Sequence, residues 1–143
     1  MQASGTTVGQ LATALNIFLW IAQFLLAILF GMAGIMKAFM SVPDLLGHGI
    51  NYAAVLPLPL LRFIGAAELS GAVGILLPSL TRILPRFTPL AALGFTILQV
   101  LAIGFHGMRG ELAMALPLNL ALISLALFVL WGRGKRLPIT ARP

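Results

Sequence analysis

The sequence contains no cysteine and very few charged residues. Only 8% of its 143 residues are charged, whereas 60% are hydrophobic. Because a soluble domain carries about a quarter charged residues, this chain has too little polar surface to coat a water-soluble protein. The absence of cysteine excludes thiol catalysis, disulfides and thiolate metal sites, so a redox role requires a bound cofactor. The composition therefore predicts a single transmembrane domain over residues 1–143.

Four apolar segments are long enough to cross a bilayer, which requires about 20 residues per helix. They cover about residues 15–36, 60–80, 90–105 and 116–131. Prolines near their starts favour helix entry points, because proline in a first turn removes no intrahelical hydrogen bond. On this basis Pro117 is expected in the opening turn of the fourth helix. The sequence predicts an all-α membrane protein, a four-transmembrane-helix bundle.

The longest connection, residues 38–59, contains the pattern of a helix start. Ser41 and Asp44 are candidate caps, and Leu45 and Leu46 follow them. We therefore expect a short helix in the first extracytoplasmic loop, lying over the outer face of the bundle.

The distribution of cations predicts the orientation of the chain. The side that carries both termini has six basic residues and the opposite side has three, Lys37, Arg62 and Arg109. Since cytoplasmic loops are enriched in Lys and Arg, we expect cytoplasmic N- and C-termini in a bacterial cytoplasmic (inner) membrane. The basic cytoplasmic tail, residues 132–143, is interpreted as a topology anchor, with anionic lipid binding as a less specific alternative.

One face of the first helix carries small and amide residues, which are typical of a helix–helix seam. These are Asn16, Gln23, Ala27, Gly31 and Gly34.

Polar residues recur toward the extracytoplasmic end of all four predicted helices. Glu68 lies two turns inside the second helix, where an unpaired acid costs on the order of 2.5 kcal/mol or more, and Lys37 is its candidate counter-ion. Gln99 and His106 are seven residues apart on one face of the third helix, and Asn119 lies near the start of the fourth. The sequence predicts a polar, ligand-binding pocket of these five residues and no catalytic residue.

Two interpretations of the Lys37–Glu68 pair have equal support. The pair either fixes helix register or forms part of a charged pocket for a ligand or a proton. A metal site is not predicted, because one intramembrane His, one Glu and no Cys do not supply a closed ligand set. No phosphate loop, nucleophile motif or nucleic-acid-binding pattern is present.

Several motifs resemble the DoxX-like family of four-helix membrane proteins, over about Phe18 to Gly132. The matching stretches are residues 30–37 (FGMAGIMK), 62–69 (RFIGAAEL), 88–92 (TPLAA), 105–111 (FHGMRGE) and 117–119 (PLN). The resemblance implies that Lys37, Glu68, His106 and Asn119 are the family's polar residues. The family that the chain resembles includes subunits of thiosulfate:quinone oxidoreductases, members linked to oxidative-stress complexes, and distant eukaryotic relatives that help assemble neurotransmitter receptors.

Three functions compete on this basis. The leading expectation is a non-catalytic subunit that binds a lipophilic ligand, with quinone as the candidate cofactor, for a membrane redox partner, since the polar residues supply hydrogen-bond donors. The alternative is an assembly factor or scaffold for a client protein, with an architectural Lys–Glu pair. A proton-linked carrier is disfavoured because no inverted repeat is visible. Glycine-rich faces permit a homo-oligomer, the lipid bilayer is the expected environment, and nucleic acid is not an expected partner.

Overall fold

The computed structural model describes the backbone of residues 3–143 and the side chains of residues 7–143. The helices are α1 (Ala3–Phe39), α2 (Val42–Gly47), α3 (Leu58–Thr81), α4 (Phe87–Met108) and α5 (Leu112–Trp131), with a 3-10 turn at Asn51–Ala54 and a π-helical turn at Gly132–Arg136. The described residues contain no strand. Four helices, α1, α3, α4 and α5, are long and apolar enough to cross a membrane. The predicted all-helical four-helix fold is confirmed.

Each predicted span lies inside one of the four long helices, but two helices begin earlier than expected. Helix α1 has 37 residues, or about 55 Å of helix, which exceeds the hydrocarbon thickness of about 30 Å. Helix α5 begins at Leu112, so Pro117 lies inside the helix and its predicted place in the opening turn was wrong. The preceding residues 112–116 are Leu, Ala and Met, which are strong helix formers and extend the helix ahead of the proline.

The long helices form a closed ring in which α1 contacts α3 and α5, and α4 contacts the same two helices. The C-termini of α1 and α4 and the N-termini of α3 and α5 meet at one end, called here the Lys37 end. The opposite end is called the Arg133 end. Between them, the rings of Phe30 and Phe95 are stacked with centroids 3.8 Å apart, and they belong to the main apolar core.

The burial pattern is inverted relative to that of a soluble protein. Large apolar side chains such as Phe18 and Phe63 are more than 60% exposed, whereas Gln23, Lys37 and Glu68 are at most 6% exposed. In water the exposed apolar surface would be unfavourable, but in hydrocarbon it is the polar groups that must be internal. The chain is therefore an integral, multi-pass membrane protein.

The first loop is packed onto the Lys37 end. The Ser41 hydroxyl accepts a hydrogen bond from the Asp44 N–H and caps α2, so the predicted short helix is confirmed with Ser41 as its cap. Leu45 of α2 and Ala53 of the 3-10 turn are buried against Leu61 of α3. This small apolar cluster fixes the position of the 3-10 turn over the bundle.

Helices α1 and α3 cross with their backbones in contact at Gly34 and Gly65. A Cβ atom on Gly65 would lie 2.7 Å from the Ala38 nitrogen and 2.9 Å from the Gly34 oxygen, so only glycine fits without a shift. Small residues permit such close approach in membrane helices. Lys37 and Glu68 each follow one of these glycines by three residues. Because the two helices are antiparallel, Lys37 lies about one turn toward the Lys37 end and Glu68 about one turn toward the bundle interior, and the long lysine side chain spans the difference.

Candidate functional site

The centre of the Lys37 end is a buried ion pair. The Lys37 Nζ donates to both carboxylate oxygens of Glu68, at 2.6 and 2.7 Å, and each residue is 6% exposed. The predicted partner of Glu68 is therefore in place. Arg62 does not compete for the carboxylate, because its guanidinium donates to the Lys37 carbonyl oxygen at 2.6 Å and caps the C-terminus of α1.

Tyr52 covers this ion pair from the first loop. Its ring centroid is 5.9 Å from the Lys37 Nζ, within the range of a cation–π contact, and its edge faces the His106 ring, with centroids 5.9 Å apart. Burial raises the pKa of the Tyr52 hydroxyl, which keeps it protonated and able to donate. Sequence reasoning did not identify Tyr52, and the only signal was that it is the single tyrosine of the chain.

His106 belongs to a second charged group rather than to the Lys37–Glu68 pair. Its Nδ1 lies 3.2 Å from Glu111 Oε2, while Arg109 Nη2 donates to Glu111 Oε1 at 2.6 Å. Hydrogen bonding to Arg109 lowers the pKa of Glu111. Tyr52 contacts both groups and therefore links His106 to the ion pair.

The amides of Gln99 and Asn119 have unused hydrogen-bonding capacity. Within the described residues, the Gln99 side chain makes no hydrogen bond, although it is only 6% exposed. Asn119 is 8% exposed and uses only its Nδ2, which donates to the Ala115 oxygen of its own helix at 2.8 Å. Most buried polar groups in proteins are hydrogen-bonded, so these amides are candidates for contact with a bound molecule.

The buried polar residues lie above an aromatic floor. The Phe95 ring occupies the space where Gly71 has no side chain and stacks on Phe30. Gln99 is one helical turn from Phe95 toward the Lys37 end, and Glu68 is three residues from Gly71 in the same direction. We call Lys37, Glu68, Gln99 and Asn119 the polar layer. The stacked rings separate it from the Arg133 end, and Tyr52 covers its ion pair.

The polar layer and its surroundings contain no evident metal site. Across residues 7–143, no group of three or more His, Asp or Glu side chains could hold a metal ion.

A second buried polar cluster occupies the opposite end and was missed by the sequence analysis. Arg133 is 5% exposed and its Nε donates to Gln23 Oε1 at 2.7 Å. Its Nη1 donates to Asn16 Oδ1 at 2.8 Å, and the guanidinium lies 5.2 Å from the centroid of the Trp20 ring. The sequence indicates Arg133 only as part of the basic tail, whereas it is an internal hydrogen-bond donor to α1.

Gln23 extends this cluster to the other helices. Its Nε2 donates to the Ile75 oxygen at 2.8 Å and to Ser79 Oγ at 3.0 Å, and Ser79 is hydrogen-bonded to Thr88 of α4 at 2.7 Å. The cluster thus joins α1, α3, α4 and the π-helical turn. The polar stripe of α1, with Asn16 and Gln23 on one face, was the sequence signal that could have indicated a partner here.

The fold and the buried polar groups define a four-helix integral membrane protein with a polar layer at one end. Residues 21–129 match the model of the DoxX-like family, which is most of the chain. The protein therefore belongs to the DoxX-like family, and the resemblance seen in the motifs is confirmed. Comparison with curated proteins and with solved structures gave no match.

Proposed function

We propose that this protein is a non-catalytic membrane subunit that binds a quinone in the polar layer for a redox partner in the same membrane. The observation that carries the proposal is the side chain of Gln99, which belongs to the polar layer, is 6% exposed and has no hydrogen-bond partner among the described residues. A ligand oxygen that accepts from this amide gains the net free energy of one hydrogen bond, about 0.5–1.5 kcal/mol.

The chemistry of a quinone fits the available groups. A quinone carbonyl accepts hydrogen bonds and its isoprenoid tail requires an apolar surround. The Gln99 amide can donate a hydrogen bond. The Lys37 ammonium can also donate, because it has three hydrogens and makes two hydrogen bonds to Glu68. The protonated Tyr52 hydroxyl is a further donor. Exposed apolar side chains on all four long helices allow the tail to extend into the bilayer.

Removal of the Gln99 amide should weaken quinone binding about ten-fold, the equivalent of one hydrogen bond of roughly 1.4 kcal/mol. The variant is Gln99→Leu, and the measurement is equilibrium binding of a short-chain ubiquinone analogue to the purified protein in detergent. The matched control is Ser124→Ala, because Ser124 is exposed and bonds only to its own helix. Equal affinity of wild type and Gln99→Leu would refute the proposal.

A membrane-protein assembly factor or scaffold is the second candidate. It is favoured by the geometry of the ion pair, since both Glu68 oxygens already accept from Lys37 and the pair needs no ligand. In that case the pair is architectural and fixes the α1–α3 crossing. The double variant described in the Discussion distinguishes the two candidates.

We further propose a bacterial cytoplasmic membrane as the location, with both termini in the cytoplasm. The Arg133 end then faces the cytoplasm, because its six basic residues outnumber the three of the opposite side. A C-terminal green fluorescent protein fusion should fluoresce, and a C-terminal alkaline phosphatase fusion should be inactive. The reverse pattern would overturn the orientation.

A further inference from the structure

The surface of the Arg133 end carries an uncompensated positive charge. Its six basic residues face no acidic side chain, because the three acids of the chain, Asp44, Glu68 and Glu111, all lie at the Lys37 end. Arg133 is buried and the other five are exposed, namely Arg82, Arg86, Lys135, Arg136 and Arg142. Basic residues grouped near a membrane surface attract anionic lipid headgroups.

Several of these cations already have a contact within the protein. Arg82 donates to the oxygen and the hydroxyl of Thr140 at 3.1 and 3.2 Å, and Arg136 lies over the Trp131 ring. The Arg86 side chain has no hydrogen bond or ion pair within the described residues. Arg86 is therefore available to bind an anion, and it stands directly before α4.

A shallow, open apolar groove runs along α3 and reaches Phe87 of α4, the residue that follows Arg86 in the chain. It has a volume of about 460 Å³ and is lined by Leu69, Ser70, Val73, Leu77 and Pro78 of α3 and by Phe87 of α4. The rise from Ser70 to Pro78 is about 12 Å. The Ser70 hydroxyl bonds back to the Ala66 oxygen, so it presents little polarity to the groove.

The loop between α3 and α4 has the composition of a membrane-interface segment. Ile83 and Leu84 are 59% and 64% exposed, and an exposed arginine lies on each side of them, Arg82 and Arg86. Apolar side chains of this kind enter the acyl region while long cationic side chains remain at the level of the headgroups. The loop thus places Arg86 at the depth of a lipid phosphate.

The geometry points to a binding site for an anionic phospholipid at the α3–α4 loop, with one acyl chain in the groove and the phosphate on Arg86. The groove accepts a hydrocarbon chain, and the guanidinium matches a phosphate with paired donors. The excess of cations at this end favours a headgroup with net negative charge over a zwitterionic one. This site is separate from the polar layer and does not depend on the function proposed for it.

The test is native mass spectrometry of the full-length protein, equilibrated with equal amounts of dioleoyl phosphatidylglycerol and dioleoyl phosphatidylcholine in detergent. We expect the wild type to retain phosphatidylglycerol over phosphatidylcholine by about five-fold or more. Arg86→Gln should lower this preference at least about three-fold by removing the phosphate partner. Ser70→Phe, which fills the groove, should lower the retention of both lipids together.

The matched control is Lys135→Gln, which removes an exposed cation of the same end that lies outside the α3–α4 loop. It should leave the preference unchanged. The proposal is overturned if the wild type shows no preference, if Arg86→Gln retains it, or if Lys135→Gln lowers it as much as Arg86→Gln. Insensitivity to Ser70→Phe would likewise overturn it, because a phosphate bound without its acyl chain does not sense the groove.

Discussion

Replacement of Glu68 by leucine, with Lys37 retained, should lower the free energy of unfolding by about 3–5 kcal/mol. The carboxylate is 6% exposed and both of its oxygens accept hydrogen bonds from Lys37. Its removal leaves a buried ammonium without a counter-charge inside the bundle, which is more unfavourable than the absence of both groups. Unfolding in sodium dodecyl sulfate, followed by the fluorescence of Trp20 and Trp131, measures this change.

The double variant Lys37→Met/Glu68→Leu should recover most of the stability lost in the single variant. Two apolar side chains of similar volume replace a buried ion pair at little net loss. Lys135→Met serves as the control, because Lys135 is exposed and lies at the other end. A double variant as unstable as Glu68→Leu would contradict this account of the pair.

The same double variant separates the two proposed functions. A scaffold with an architectural ion pair should keep both fold and cellular phenotype when the pair becomes apolar. A quinone-binding subunit should keep its fold but bind quinone more weakly, because the Lys37 donor is lost. Measurement of stability together with quinone affinity therefore assigns the pair to one role.

Replacement of Arg133 by methionine should lower the free energy of unfolding by about 2 kcal/mol. The change leaves the buried Gln23 Oε1 without its donor, and an unpaired buried polar group costs about 1–3 kcal/mol. It also removes the cation from the Trp20 ring, so the emission of Trp20 should change. Detergent unfolding and fluorescence spectra of the folded variant measure both effects.

Arg136→Met is the matched control for this variant. Arg136 also contacts a tryptophan ring, that of Trp131, but it is exposed, and its side chain donates no hydrogen bond within the part of the chain that the structure describes. If Arg133→Met and Arg136→Met have the same small effect, Arg133 does not hold the end of the bundle together. A double-mutant cycle with Gln23→Leu should give a coupling above about 0.5 kcal/mol.

The features that follow from the bilayer itself could be predicted from sequence. Hydropathy and length identified the four long helices, and the depth of Glu68 required a partner, for which Lys37 was the candidate from the same end. The glycine and amide stripe of α1 predicted the seam that the Gly34–Gly65 crossing provides. Each of these results depends on helix periodicity and on the penalty for unpaired charge.

The features that depend on loop and tail conformation could not be predicted in this way. Tyr52 reaches Lys37 only because Leu45, Ala53 and Leu61 pack the first loop onto the bundle, which no local pattern specifies. Arg133 turns inward because Gly132 leaves space that the Leu19 side chain occupies. In the sequence, the buried Arg133 is indistinguishable from the exposed basic residues that follow it, and only tertiary contacts separate them.

The presence of a quinone on the protein as it is extracted from its own membrane tests the central claim most directly. Native mass spectrometry after mild detergent extraction should show wild type with one quinone-mass adduct. This adduct should be lost or greatly reduced in Gln99→Leu and retained in Ser124→Ala. An adduct of equal abundance in all three proteins, or a wild type carrying phospholipid alone, would contradict the assignment of the polar layer as a quinone site.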